Sequence, residues 1–274
     1  MLFAGVLDVI YARYSRKRPV TGYYLFVIGL VMIVGQAALL ALVDVPIVFS
    51  QKAAAWGIFA GAIVMVANAM LVESLGRINV SLGSTIYRLN TIGVVIFAVV
   101  FLHEALTAPK LGGIALGIVA VVLLYQHGGR SGHERLLLAS VSLAIGASLL
   151  RATFGIMSKV GLTDGTDAFL FMLYIAIGWT LAAMAYGVIR RQPKGALRNV
   201  IPYAVGSGAL ICLVVSFLLL GLRTGEASVV IPIANMSFVV ALLTSAAFRM
   251  ERFTGRKLVA VATAAVAIAL LTTA

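Results

Sequence analysis

Ten apolar stretches, most of them about twenty residues long, follow one another along the chain with only short polar joints between them. They fall at 1–14, 22–43, 53–75, 79–102, 109–126, 136–158, 168–189, 200–222, 227–248 and 256–273. A helix needs about 20 such residues to cross roughly 30 Å of hydrocarbon. Lipid offers no hydrogen bonds, so a spanning segment of this kind satisfies its own backbone by coiling into a helix. The pattern predicts an all-α polytopic membrane protein with ten transmembrane helices, and no joint is long enough for a soluble domain. Composition agrees, with 62% hydrophobic and 11% charged residues, against about 25% charged in soluble domains.

The net charge of +12 does not point to nucleic acid. Its cations sit in short clusters between apolar runs, without the aromatic interleaving of a nucleic-acid surface. Such clusters orient membrane helices. Loops 1–2, 3–4, 5–6, 7–8 and 9–10 carry 15 Lys and Arg in all, and the alternate loops carry 4, at Lys52, Lys110, Lys159 and Arg223. The positive-inside rule then puts the rich loops in the cytoplasm and both termini outside.

The halves of the chain resemble each other. Shifted by 147 positions, Leu75–Leu124 lies on Leu222–Leu271 without a gap, and 13 of 50 positions are identical. Polar matches at helix junctions carry the weight: Ser81 with Ser228, Glu104 with Glu251, Thr107 with Thr254, Lys110 with Lys257. The reading is two five-helix repeats, at 1–126 and 136–274, around an inter-repeat loop at 127–135. Five is odd, so the second repeat enters the membrane inverted relative to the first. The first segment, of 14 residues, rises only about 21 Å. That shortness predicts either a truncated start or a poorly spanning helix 1.

Charges inside apolar runs are costly, about 2.5–3.5 kcal/mol at a helix centre. Arg151 lies deep in "SLLRATFG", and at an offset of 143 its counterpart in helix 1 is Asp8. Ser140, Ala144, Ala147, Ser148, Gly155 and Ser158 form one small-residue face of the same helix, fit either to line a cleft or to pack closely. In helix 4, Ser81, Ser84, Arg88 and Thr91 share a stripe, with Asn90 beside it and Asn235 as Arg88's counterpart in helix 9. Asn68 and Gln36 add uncharged polar groups at depth. Guanidinium forks suit carboxylate or phosphate. One reading is a polar cavity with Arg151 and Arg88 as anion contacts, Asn68, Asn90 and Asn235 as hydrogen-bond partners, and Asp8 as ion pair or proton carrier. The structural alternative is an Asp8–Arg151 pair with Arg88 on backbone carbonyls.

Other polar residues take plainer readings. Glu104 and Glu251 belong to helix ends, with Thr107 and Thr254 as N-caps. Glu73 is expected to pair with Arg77, and Cys212 to fill a packing space. No nucleotide loop, dinucleotide fingerprint, hydrolase elbow or paired-histidine metal motif occurs, so no cofactor or metal is expected.

The stretches "GSTIYRLNTIGVVIFAVVFLHEALTAPKLGGIALGIVAVVLL" and "GEASVVIPIANMSFVVALLTSAAFRMERFTGRKLVAVATAAVAIALL" resemble the two repeat halves of the EamA-type drug/metabolite transporters. Each has a helix ending in Glu, a short turn with Thr and Lys, and a small-residue closing helix. The resemblance implies a ten-helix inverted-repeat bundle in the cytoplasmic membrane, alternating access without ATP, and export of small metabolites. It also implies that helices 3, 4, 8 and 9, beside 1 and 6, surround the cavity, which is where Asn68, Arg88, Asn90, Arg151 and Asn235 lie. The chain departs from the family in carrying Asp8 where small multidrug members have a helix-1 glutamate, and in the termini that the charge count puts outside.

The function expected is a secondary transporter of a small anionic or zwitterionic metabolite, with protons as a candidate coupling ion and the lipid bilayer as its surroundings. A membrane-embedded enzyme on lipid-linked substrates and a non-transporting accessory subunit are the alternatives. The repeats remove the need for a dimer without forbidding one.

Overall fold

A computed structural model describes residues 2–15, 20–43, 49–75, 87–88, 90–123, 134–162, 167–190, 197–237, 239–240 and 254–273. Among the described residues there are ten helices: α1 (Leu2–Ser15), α2 (Thr21–Val43), α3 (Gln51–Leu75), α4 (Asn90–Leu102), α5 (Ala108–Leu123), α6 (Glu134–Leu162), α7 (Ala168–Ile189), α8 (Leu197–Thr224), α9 (Ala227–Asn235) and α10 (Gly255–Thr272). Six of them, α2, α3, α6, α7, α8 and α10, are long and apolar enough to cross a membrane; α4 and α5 are shorter apolar helices. Side chains capture the free N–H groups at several starts. Asp167 accepts from Phe169 and Leu170 at α7, Ser50 from Ala53 at α3, and Thr107 from Lys110 at α5. Thr254 stands at the N-cap of α10 without a side-chain hydrogen bond.

Most helices follow the apolar runs within a few residues. The run at 227–248 does not form one helix: α9 stops at Asn235 after nine residues. Pro232 lies inside it, and the exit tightens into three-residue turns, Met236 N–H to Ile233 C=O and Ser237 N–H to Ala234 C=O. Proline supplies no N–H for the Ser228 carbonyl one turn back, so this short helix lacks a rung of its ladder before it ends at Asn235. Of the run at 79–102, the described part is 87–88 and α4; Ser81 and Ser84, like Arg77 and Glu251, lie outside the described residues.

The halves are interleaved rather than side by side. Helix α3 packs on α6 and α7, α8 on α1 and α2, α2 on α7, α4 on α9 and α5 on α10. Two close approaches share the sequence offset. A Cβ on Gly61 of α3 would meet the Ile175 carbonyl of α7, and one on Gly208 of α8 would approach the Ile28 carbonyl of α2. Residues 61 and 208, and residues 28 and 175, are each 147 apart. Around these contacts Tyr24, Leu25, Ile28, Phe171, Ile175 and Trp179 are buried, and Trp179 Nε1 donates to the Leu25 carbonyl at 2.8 Å.

The small-residue face of α6 packs closely. Ser140, Ala144, Ala147, Ser148, Gly155 and Ser158 are buried, and the Ser74 hydroxyl of α3 donates to the Ser140 carbonyl. Of the two uses open to that face, the observed one is contact with α3 and, at Gly155, with Ile231 of α9.

Short joints make the helices alternate in direction, so the bundle has two ends. The ends of α3 and α7 meet at one, where Glu73 reaches Arg190. The ends of α4, α6 and α8 meet at the other, around the start of α9. The first is the end of the cation-rich joints and the second that of the cation-poor joints.

Candidate functional site

The break in α9 exposes the last carbonyls of a helix, where its dipole is negative and unsatisfied acceptors gather. Arg88, just before α4, fills this position. Its Nη1 donates to the Asn235 carbonyl and, at 2.9 Å, to the Ser237 hydroxyl. Asn235 answers in the opposite direction, its Nδ2 donating to Asn90 Oδ1 and, at 2.9 Å, to Thr91 Oγ1. Residues 88 and 235, like 90 and 237, are 147 positions apart, the offset at which the halves of the sequence match, so Arg88 to Ser237 and Asn235 to Asn90 are the same pair of positions in contact twice. Among the described residues the Asn90 Nδ2 is buried with no hydrogen-bond partner, and a buried donor left unmet is costly.

A pocket opens beside this cluster, with about 270 Å³ of space continuous with the outside and an enclosed part the size of one water. Arg88, Thr91, Asn235, Ile114, Gly117 and Met236 are among its walls. Polar groups line one side and α5 contributes an apolar one. Arg88 is half-buried there.

The other expected site residues fall elsewhere. Arg151 is half-buried and places its guanidinium 5.4 Å from the centre of the Tyr87 ring, within cation–π range. It does not line the Arg88 pocket; Tyr87, next to Arg88 in the chain, connects the two arginines. Asn68 of α3 donates to its own helix at Val64 and accepts from the Tyr11 hydroxyl of α1 at 3.3 Å. It belongs to an α1–α3 contact and is not a neighbour of the pocket. The Asp8 side chain lies outside the described residues, so its pairing with Arg151 does too. Gln36 donates to Cys212 Sγ and Ser216 Oγ across the α2–α8 contact, and Cys212 is buried as a packing residue.

The sequence reading missed a cluster of tyrosines. The Tyr14 and Tyr24 rings stack at 3.8 Å between centres, Tyr11 and Tyr203 flank them, and the Tyr24 hydroxyl bonds Ser207 of α8 at 2.6 Å. Tyrosines near apolar ends read as interfacial anchors. Only the interleaving of α1, α2 and α8 turns these three helices' residues toward one another.

Two of the described acids, Glu104 and Glu73, are held in contacts between helices. Glu104 caps α9 and not the helix that follows it, accepting from Ala227 N–H at 2.8 Å, Ser228 N–H at 3.0 Å and the Ser228 hydroxyl. His103, in the left-handed region at φ 54°, ends α4 and turns the chain so that the next residue faces α9. Glu73 binds both Arg190, at 3.1 Å, and the Tyr186 hydroxyl; its expected partner Arg77 lies outside the described residues. Arg190 is 54% exposed, so Glu73→Gln is expected to shift unfolding by only about 0–1 kcal/mol, and less in high salt. Thermal unfolding in detergent at two salt concentrations checks this.

Residues 1–126 match the family model of the EamA-like transporter family. A solved chain described as "Crystal structure of protein" is similar over 99% of this chain and 97% of its own length, with a TM-score of 0.76 and 12% sequence identity. At that identity the likeness is one of fold. No curated protein matches the sequence. The family resemblance read from the sequence thus holds across the first half, and the fold match extends through the second.

Proposed function

We propose that this chain, whose first 126 residues match the EamA-like transporter family, is a secondary transporter. It moves a small anionic or zwitterionic metabolite across the cytoplasmic membrane by alternating access, in the direction of export. The observation that carries this reading is the broken α9, whose C-terminal carbonyls, Arg88 and Asn235 border a pocket between the two halves. Broken helices whose ends face a cleft are the usual means by which inverted-repeat carriers bind polar cargo inside a bilayer.

The repeat contacts support an inverted plan. A residue that meets its own counterpart sits on the axis relating the two copies, and Arg88 meets Asn235. The exchanged glycine contacts, Gly61 with Ile175 and Gly208 with Ile28, obey the same relation. On this axis the cargo is held by Arg88, Asn90 and Asn235, with Asn90 Nδ2 as a donor ready for an oxygen of the cargo. Arg151 and Asn68 act further along the path, and Asp8 serves as proton carrier or as partner of Arg151. The cation-rich end faces the cytoplasm. Capture of Glu73 and Glu104 in structural bonds favours a carrier over an acid–base enzyme.

Purified protein in detergent, screened by thermal shift against organic acids, phosphate esters and amino acids, tests the cargo class. A ligand at about 100 times its Kd stabilises by about 2.7 kcal/mol. The expected result is a stabilising anion or zwitterion that is then taken up by proteoliposomes holding the protein. Stabilising ligands that are never transported would overturn the reading.

A further inference from the structure

The joint between α8 and α9, residues 222–228, is gripped from three sides. Lys159, near the end of α6, donates to the Leu222 carbonyl at 2.7 Å and the Gly225 carbonyl at 2.8 Å, which are acceptors at the exhausted end of α8. Lys110 of α5, only 1% exposed, pairs with Glu226 and donates to the Ala105 carbonyl. Glu104 takes the first N–H groups of α9 together with the Ser228 hydroxyl. Two of these charges have the sign that the helix end they meet requires: the Lys159 cation at the α8 terminus and the Glu104 carboxylate at the α9 start. Glu104 and Lys110 come from the first half of the chain, and the joint they hold belongs to the second.

The opposite end of the bundle is tied differently. There Glu73 joins Arg190 across the halves, with the arginine largely in the open. Water and salt weaken such a pair, and Glu226 is similarly open at 51%, whereas Lys110 and the buried Ala227 and Ser228 at the α9 start are shielded. Among the described residues, the buried ties are those of Lys110 and Glu104 at the cation-poor end, and the Glu73–Arg190 pair is the more open one at the other. Beyond the joint, α9 runs only nine residues before its break at Asn235. It is short enough to swing as one rigid piece about that break.

We propose that the α8–α9 joint is the gate of the cation-poor end, latched shut in this structure, and that Glu104 is the group whose detachment lets α9 swing and opens the Arg88 pocket to that side. The purpose given to the gate rests on the transport reading, but its test needs no cargo. Glu104→Gln keeps the size of the side chain, yet it loses the charge and turns an amide N–H₂ toward N–H groups that need an acceptor.

The experiment uses Cys212→Ser protein with a single reporter, Ile118→Cys, in the pocket wall. A membrane-impermeant maleimide is applied to either face of vesicles, and Lys52→Cys protein identifies which face is the cation-poor one. Loss of one charged hydrogen-bond acceptor is expected to speed reporter labelling from that face by about tenfold, with no gain from the other. Lys110→Met and Lys159→Gln, which release the joint from different helices, are expected to act in the same direction. Unchanged labelling in all three variants overturns the gate, and so does an equal rise from both faces, which would mean general loosening. A chain that moves no tested solute can still show the one-sided rise. A transporting chain without it loses the gate alone.

Discussion

Gly178→Ala is expected to prevent accumulation of folded protein, although alanine is ordinarily the better helix former by about 0.8–1.0 kcal/mol. A Cβ at this position would lie 2.0 Å from the Ile58 carbonyl oxygen and 2.6 Å from its carbon. Those atoms are backbone, so no rotamer change removes the clash; α3 and α7 must move apart. The separation would also disturb Gly61, whose own Cβ position is 2.1 Å from the Ile175 carbonyl oxygen, and the Trp179 bond to Leu25. Overpacking costs about 1–3 kcal/mol where side chains can yield, and more where they cannot. That is a large part of the roughly 5–15 kcal/mol that holds a domain together. Gly187 supplies the control in the same helix, because a Cβ there meets nothing within 4 Å. Gly187→Ala is expected to be neutral or slightly stabilising. Yield of monodisperse protein and the midpoint of thermal unfolding in detergent give the comparison. A Gly178→Ala protein as stable as Gly187→Ala would mean that these helices do not approach so closely.

Such contacts mark the limit of what the sequence shows. Ten apolar runs predict ten helices because hydrophobicity and length are local properties, and eight of the runs need only small boundary changes, while most of the first part of 79–102 lies outside the described residues. The tenth, 227–248, hides a break: Pro232 hints at it, but proline is tolerated in many buried helices when neighbours satisfy the freed carbonyls. The carbonyl left at the break itself is that of Asn235, and Arg88, 147 residues away, satisfies it. Glu104 was legible as part of a helix end, since its match with Glu251 falls at a junction. That it caps α9 instead of α5 depends on how the halves interleave, which no local pattern encodes. The same holds for Glu73, which found Arg190 on another helix. Arg151 shows the converse. Its depth was readable and its small-residue face real, yet that face serves contact with α3 and α9, and the pocket borders the other arginine.

Arg88→Met is expected to cut transport per folded molecule by about 100-fold, equivalent to about 2.7 kcal/mol of lost stabilisation in the rate-limiting state. The guanidinium has two tasks in the proposed mechanism, and the variant separates them. As a strut it satisfies the Asn235 carbonyl and the Ser237 hydroxyl. Removing charged hydrogen bonds of this kind costs about 1.5–3 kcal/mol each, which lowers the unfolding midpoint without preventing folding. As a cargo contact it presents its positive charge to an anion in the pocket, and methionine, of similar length, presents none. Lysine keeps the charge but cannot hold a helix end and a carboxylate with one fork. Arg88→Lys should therefore fall between the two in both stability and transport. The measurement is initial uptake in proteoliposomes, normalised to protein that elutes folded, beside thermal unfolding with and without the stabilising ligand. Loss of stability with full turnover per folded molecule would reduce Arg88 to a brace between α4 and α9. Loss of turnover together with loss of the ligand's stabilising effect would fix it as the anion contact.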